Sequence, residues 1–175
     1  MFANMRSYVA AREGVEGWHR VLNALAPADR QIVATTVAVG WYPTPVFIRL
    51  LLTINEVIGH GSPAFWADFA RVGAETDLTV FHRMFLRMAN PAFVCEKVGD
   101  YWSRFHTHGH WESKRVEQGY VGTLSDFEGH PIYCTLLVPY MARLLELVGA
   151  KQPVVTHPEC VHRGAVDCRF TARWQ

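Results

Sequence analysis

Apolar residues recur at helical spacing over much of the first 105 residues of the chain. This spacing predicts four helices, over residues 15–25, 44–58, 62–88 and 90–105. The last two helices begin at Ser62-Pro63 and Asn90-Pro91, where an N-cap residue is followed by proline at the first helical position. The first half of the chain is therefore expected to be helical.

Two segments of this first half are left open by the pattern. Residues 1–14 are weakly periodic and fit either a first strand or a short helix. Residues 28–39 are ambiguous, because their Val, Thr and Ile content favours a strand whereas the sequence Asp29-Arg30-Gln31-Ile32 favours a helix.

Beyond residue 110 the pattern changes to alternation. Residues 111–118 and 120–127 alternate as two strands, with Gly119 and Gly122 near their junction. A last helix is expected over residues 132–148, kinked at Pro139. A short strand that stops at Pro158 and an alternating strand over residues 166–174 end the chain. The order predicts an α+β fold, with a helical first half packed on an antiparallel sheet.

The composition limits the possible classes of function. A chain of 175 residues with 50% apolar residues is expected to form one domain, residues 1–175. A net charge of +1 does not indicate nucleic-acid binding, and no apolar run is long enough for a membrane span. The first residues lack the apolar core of a signal peptide. We therefore expect a cytoplasmic protein with reduced cysteines.

Three of the four cysteines lie in the last 42 residues, together with a histidine. Gly164 is suited to a chain reversal between Cys160 and Cys168, so these two residues are expected to lie close together. Cys134, on the last helix, could face the strand ends. With His157, these residues predict a Cys3His metal site, because thiolate and imidazole are zinc ligands.

Two alternatives to this site remain open in the sequence. His157 and Cys160 are three residues apart and would lie on opposite faces of a regular strand, unless Pro158 bends the chain. Glu159 could then replace His157 as the fourth ligand. The cysteines could also be small buried core residues that bind no metal.

The other chemistry-bearing residues give weaker indications. His106, His108 and His110 alternate in a manner that could form a second metal site, although a solvated turn is the simpler interpretation. Cys95 has no partner on its helix and is expected to fill the core. Motifs for nucleophilic catalysis or phosphate binding are missing, so the chain is not expected to be an enzyme.

Aromatic residues are plentiful between Trp66 and Trp111, where a helix layer over a sheet could enclose an apolar cavity. Such residues more often form the core than a pocket. The candidate ligand-binding residues are His82, Phe85, Trp102, His106 and Trp111.

The C-terminal pattern of a cysteine, Arg-Gly-Ala, a second cysteine and an alternating strand that ends in Trp174 resembles the 4-vinyl-reductase domain, a ligand-sensing module of bacterial regulators. That fold is shared with haem–nitric-oxide-binding sensors and with Golgi transport (TRAPP) subunits. The sequences WYP at residues 41–43, NPAF at 90–93 and YWSRFHTHGHWE at 101–112 look more like a myxobacterial paralogous family.

The resemblance implies a structural zinc ion, since the sensor domains bind zinc with three cysteines and one acidic residue. Their pattern matches Cys134, Cys160 and Cys168, with His157 at the acidic position. It also implies a non-catalytic sensor of a hydrophobic or aromatic small molecule, expected to be a homodimer with a possible regulatory protein partner. No haem is expected, because no motif for a haem-ligating histidine can be placed. The alternatives are a structural adaptor without a ligand and an enzyme acting on an aromatic or tetrapyrrole substrate.

Overall fold

The computed structural model describes residues 2–37, 40–81, 90–127 and 129–175. The chain divides into two compact units, Met1–Val72 and Gly73–Gln175. The described elements are α1 (Phe2–Ala24), α2 (Pro27–Ala34), α3 (Thr44–Val57), α4 (Ala64–Phe81), α5 (Pro91–Phe105), β1 (His110–Val116), β2 (Gly119–Ser125), α6 (Pro131–Leu147), β3 (Val154–Glu159) and β4 (Cys168–Arg173). The α+β class is confirmed. Whether the chain acts as a single domain remains a prediction.

The N-terminal segment, which fitted either a strand or a short helix, is part of helix α1. The helix runs from Phe2 to Ala24, and the open segment becomes its first half, joined to the second across a kink at Gly14 with φ 67° and ψ −170°. The buried side chains Met5, Val9 and Val21 anchor both halves of the helix in the core of the first unit. Contacts with the core therefore stabilise a helix in residues 2–14, where the sequence pattern alone is weak.

The second open segment is helical over residues 28–34, and its residues 38 and 39 lie outside the described residues. In α2, the side chain of Asp29 is buried, with 8% of its surface exposed. It accepts two hydrogen bonds, of 2.6 and 2.7 Å, from Arg49 of α3. Because this carboxylate must be kept paired when buried, the contact with α3 fixes one face of α2. The strand-like composition of residues 28–39 is overridden by this tertiary contact.

The second unit contains an antiparallel sheet of order β1-β2-β4-β3. A two-residue turn joins β1 to β2, and Val116 pairs with Gly119 at its base. Strand β2 then pairs with β4, and β4 pairs with β3. The last strands of the chain are therefore brought next to the hairpin of the first two.

One face of this sheet carries the core of the second unit. Its buried residues include Trp111, Leu124, Phe170 and Ala172, and helix α5 packs closely against β1. The other face is polar: Thr156 and Thr171 are paired in register and hydrogen-bonded at 2.7 Å. This alternation is typical of an antiparallel sheet with one solvated face.

Two prolines lie inside elements of the second unit. Helix α6 continues through Pro139 to Leu147, and the kink expected at Pro139 remains a prediction. The strand that was expected to stop at Pro158 does not stop there. Strand β3 continues past Pro158 to Glu159, with a break in register between Thr156 and Glu159. The irregularity accommodates a proline that lacks a backbone N–H, as in a β-bulge. Among the described residues, no helix has both the length and the apolar content needed to cross a membrane.

Candidate metal centre

Four elements bring the predicted ligands together. Cys134 lies in the first turn of α6, His157 lies in β3, and Cys168 is the first residue of β4. Cys160 directly precedes a single 3-10 turn, Val161–Arg163, which links the two strands. The cluster therefore ties the start of a helix to the connected ends of two strands.

The predicted chain reversal after Cys160 is confirmed. The carbonyl oxygen of Cys160 accepts hydrogen bonds from the backbone N–H groups of Arg163 at 2.9 Å and Ala165 at 3.1 Å. Gly164 has φ +89°, a left-handed conformation that glycine adopts without strain. These bonds hold the carbonyl of Cys160 within the turn that leads to Cys168.

The register break in β3 resolves the objection that His157 and Cys160 should face opposite ways. Between Thr156 and Glu159 the pairing with β4 shifts, which disrupts the simple alternation of faces. His157 therefore joins Cys160 on the same side although the two residues are three apart. The guanidinium of Arg163 donates to the carbonyl oxygen of His157 at 2.6 Å and to that of Pro158 at 3.3 Å, which holds the irregular segment.

The ligand atoms have the spacing of a tetrahedral zinc site. The sulfur of Cys134 lies 3.7 Å from that of Cys168 and 3.8 Å from that of Cys160. All four ligand atoms, including the imidazole nitrogen of His157, lie within 4.8 Å of one another. With Zn–S bonds of about 2.3 Å, the edge of a regular tetrahedron is about 3.8 Å. The sulfurs are too far apart for disulfide bonds, and all four cysteines are free.

The surroundings of the cluster by themselves favour uncharged side chains. Burial and the neighbouring Cys168 raise the pKa of the Cys134 thiol, and burial also raises the pKa of Cys168. Burial lowers the pKa of His157, so its imidazole is neutral. Because a divalent cation favours thiolates, metal binding would reverse the direction of the cysteine shifts.

One buried atom in this cluster has no partner. The Nε2 atom of His157 is inaccessible to solvent and makes no hydrogen bond. Leaving a buried nitrogen unsatisfied costs about 1–3 kcal/mol, and a metal ion would remove that cost. Glu159, the alternative fourth ligand, pairs instead with Arg169 at 2.9 Å and lies outside the cluster of ligand atoms.

Aromatic rings extend from this cluster along the inner face of the sheet. The ring of His157 stacks on Phe170, with centroids 4.2 Å apart and planes 6° from parallel. Phe170 stacks on Trp111 at 5.3 Å, and Trp111 lies 6.0 Å from Trp102. Trp102 in turn stacks on His106 at 4.0 Å. We call these five residues the ring stack.

The described candidates for the apolar pocket belong to this ring stack. Trp102, His106 and Trp111 lie together, but the space beside Trp111 and Phe170 is a cavity of only ≈ 10 Å³. A volume of this size is close to that needed for one water molecule. His82 and Phe85, the other two candidates, lie outside the described residues. A pocket formed by these residues remains a prediction.

His106 is the member of this group with the most unusual surroundings. Its ring contacts Phe127 and Tyr133 edge to face at 5.9 and 5.8 Å, in addition to the stack on Trp102. Burial lowers its pKa to about 4. The imidazole is therefore neutral at physiological pH, a state that the sequence pattern of alternating histidines did not indicate.

The histidines that follow do not join it in a second metal site. The Nε2 atom of His110 lies 3.6 Å from Glu112, with both side chains mostly exposed, and His108 is exposed beside Thr107. Within the described ranges, the one group of three or more metal-ligating side chains is the cysteine–histidine cluster. Cys95 is buried in the core, and desolvation raises its pKa to about 11, as expected for structural filling.

A wider groove of ≈ 600 Å³ lies at the other end of the sheet. It is lined by Asn90, Pro91, Ala92, Arg115, Val116, Glu117, Gln118, Gly119, Tyr120, Arg173 and Trp174. None of the described candidates for the pocket lines this groove. Sequence reasoning missed it because its residues come from a helix start, a hairpin and the last strand, without a shared local pattern.

No family model and no curated protein matches the chain. Solved structures do match it. The H-NOX protein from S. oneidensis in the Fe(II)NO ligation state has a TM-score of 0.77 and 14% identity, covering 99% of this chain and 97% of that one. The IWP-051-bound H-NOX from Shewanella woodyi in the Fe(II)CO state has a TM-score of 0.74 and 9% identity, covering 99% and 92%. The unliganded Fe(II) H-NOX protein from K. algicida has a TM-score of 0.72 and 8% identity, covering 99% and 94%.

These likenesses show an H-NOX-related fold. They do not support the narrower resemblance to the 4-vinyl-reductase domain or to TRAPP subunits. They also contradict the prediction that no haem is expected. That prediction is wrong, because the matching proteins are described in Fe(II) ligation states and heme is named for their family. The prediction failed because an axial ligand is a single histidine nitrogen, which needs no local motif.

Proposed function

We propose that this chain is a non-catalytic domain that senses a small molecule and contains a structural zinc ion. The spacing of 3.7 and 3.8 Å between the cysteine sulfurs, which equals the edge of a zinc–thiolate tetrahedron, carries the zinc assignment. The likeness to H-NOX structures supports the sensing role.

The ligand set favours a structural role over a catalytic one. Cys134, His157, Cys160 and Cys168 would fill the four positions of a tetrahedral zinc ion and leave none for a substrate or an activated water. Three thiolates also donate electron density to the metal, which weakens it as a Lewis acid. Bound zinc would cross-link the first turn of α6 to the β3–β4 connection and so stabilise the C-terminal third of the chain.

Haem is the first candidate for the cofactor through which the domain would bind its small molecule. A histidine that serves as the axial ligand of haem must be neutral and have an available ring nitrogen. His106 meets this demand, since burial keeps it neutral and no described residue hydrogen-bonds to its ring. His82 is the second candidate from the sequence. Bound haem would supply an iron position for a diatomic gas. His106 would hold the group, and its aromatic neighbours would keep water away from the imidazole.

Reconstitution of the 175-residue protein with hemin tests this proposal. We expect a Soret band that shifts on addition of CO or NO to the ferrous protein. The band should be lost in either His106→Ala or His82→Ala, whichever residue is the axial ligand, whereas His19→Ala on the surface of α1 should leave it unchanged. Retention of the full spectrum in both variants would exclude both histidines as the ligand.

Failure to bind haem would leave a hydrophobic or aromatic molecule as the ligand, to be detected as co-purified mass in native mass spectrometry. A homodimer and a regulatory protein partner also remain predictions. Light scattering that returned 19.9 kDa, the mass of one chain, at tens of micromolar protein would contradict the dimer.

A further inference from the structure

The ring stack joins the metal centre to His106 without a gap. Its contacts pass from His157 to Phe170, Trp111, Trp102 and finally His106, with centroid separations of 4.2, 5.3, 6.0 and 4.0 Å. The first and last residues are 51 positions apart in the sequence and come from β3 and the end of α5. The sheet and helix α5 thus hold a metal ligand and a buried histidine at the two ends of one column of rings.

The middle of this column has little room to move. Phe170 is fully buried and Trp111 and Trp102 nearly so, and the cavity beside them measures only ≈ 10 Å³. The indole N–H of Trp102 donates to the carbonyl oxygen of His108 at 3.1 Å, and that of Trp111 donates to the hydroxyl of Ser113 at 3.0 Å. Because protein interiors are closely packed, a ring that turns or shifts must displace its neighbour.

The metal acts on the first ring of the column. The Nε2 atom of His157 is buried without a partner when no metal is bound, and a metal ion would hold the imidazole by direct coordination. Because the four ligand atoms already have tetrahedral spacing, bound metal would restrain His157 in this orientation. Without metal, the ring is held by its stacking on Phe170, so Phe170 is the first residue to sense whether that restraint is present.

We infer that zinc occupancy of the cysteine–histidine cluster sets the orientation of His106 through the ring stack, with Phe170 as the positioning residue. This inference rests on the zinc site of the proposed function. It makes the surroundings of His106 dependent on a metal that does not contact it. Loss of zinc would thereby alter His106, the one histidine outside the metal cluster that is not exposed in the described part of the chain.

The test follows His106 by NMR in the 175-residue protein labelled with ¹⁵N-histidine. Its ring signals are assigned by their absence from His106→Gln. Zinc is removed with a chelator and then added back alone, while bound zinc is measured by elemental analysis. We expect the His106 signals to shift on zinc addition in the wild-type protein and the shift to be lost in Phe170→Leu, although that variant still binds zinc.

Leu124→Val is the matched control, because Leu124 is buried in the same cluster but is not in the ring stack, and it should keep the shift. If Phe170→Leu does not fold, Trp111→Leu interrupts the column at the next ring and should also lose the shift. A shift that persists with zinc bound in the interrupted variant overturns the inference. The effect would then pass through Tyr133, whose ring contacts His106 and which directly precedes the ligand Cys134 in the chain. A wild-type protein that binds zinc without any shift also overturns it. A wild-type protein that binds no zinc contradicts the proposed site itself.

Discussion

The sulfur of Cys134 lies 3.7 Å from the sulfur of Cys168, although the two residues are separated by 34 positions in the chain. One belongs to the first turn of α6 and the other begins β4, so their contact closes a loop that contains the rest of α6 and β3. Because the pKa values of both thiols are raised, the two side chains are uncharged when no cation is present. Metal binding would convert a weak contact into a cross-link.

Cys168→Ser should lower zinc content and stability together. A serine hydroxyl is a poor zinc ligand, and a ligand present at several hundred times its Kd contributes about 3–4 kcal/mol to the free energy of unfolding. The loss is measured by elemental analysis and chemical denaturation of the same sample. Hydrogen exchange should show the C-terminal third opening first.

Cys95→Ser is the control for this experiment. Cys95 is buried but distant from the cluster, so the substitution should leave zinc content unchanged and cost about 1–2 kcal/mol through a buried hydroxyl. Equal zinc content in Cys168→Ser and the wild-type protein would contradict the site.

His157→Ala should reduce zinc affinity more than Glu159→Ala. The imidazole of His157 lies in the cluster of ligand atoms, whereas the carboxylate of Glu159 pairs with Arg169 on the exposed face. Loss of an outer-shell partner of a zinc ligand typically weakens binding by about 10–100-fold, so we expect at least this loss when the ligand itself is removed in His157→Ala, measured by competition with a chromogenic chelator. The opposite order of the two variants would make Glu159 the fourth ligand.

The stability of the zinc-free protein should depend on pH through His106. Its pKa is about 4 when folded and 6.5 in the unfolded chain, so between these values the unfolded state binds a proton that the folded state does not. The free energy of unfolding should therefore be highest above pH 6.5 and should fall by roughly 3 kcal/mol as the pH is lowered to about 4. Denaturation at several pH values measures this slope.

His106→Phe is the matched variant for the pH series, because a phenyl ring can occupy the same aromatic surroundings without titrating. The slope between pH 6.5 and 4 should be smaller in this variant than in the wild-type protein. An identical slope would show that His106 does not carry the dependence.

Gly122→Ala should be destabilising because of Trp111. A Cβ atom on Gly122 would lie 2.4 Å from the Cζ2 atom of the Trp111 ring, which lies over it within the ring stack. Overpacking of this kind costs about 1–3 kcal/mol. Thermal denaturation and tryptophan fluorescence should both change.

Gly73→Ala on helix α4 provides the contrast. The nearest atom to its Cβ would be 4.0 Å away, and replacing a helical glycine by alanine stabilises by about 0.5–1 kcal/mol. Equal destabilisation by both substitutions would contradict the packing of Trp111 against Gly122.

Local interactions explain which elements could be predicted. The start of α5 was marked by Asn90-Pro91, and the Asn90 side chain does accept a hydrogen bond from the backbone N–H of Phe93 at 2.9 Å. The hairpin of β1 and β2 follows from alternation and from the short turn at Gly119. The first 14 residues and residues 28–39 were left open because their own propensities are balanced. Contacts with distant residues decided the helices over residues 2–14 and 28–34.

The sequence by itself determined that Cys160 and Cys168 would be neighbours, because a reversal of seven residues with glycine at its centre is a local feature. Only the tertiary structure decided that Cys134 and His157 join them, since that depends on where α6 crosses the strand ends and on the register break at Pro158. The same holds for His106: its neutral state arises from rings supplied by α5, α6 and the segment after β2. The spacing of apolar side chains along the chain predicts helices and strands. The desolvation of a histidine and the geometry of a metal site depend on residues that only folding brings together.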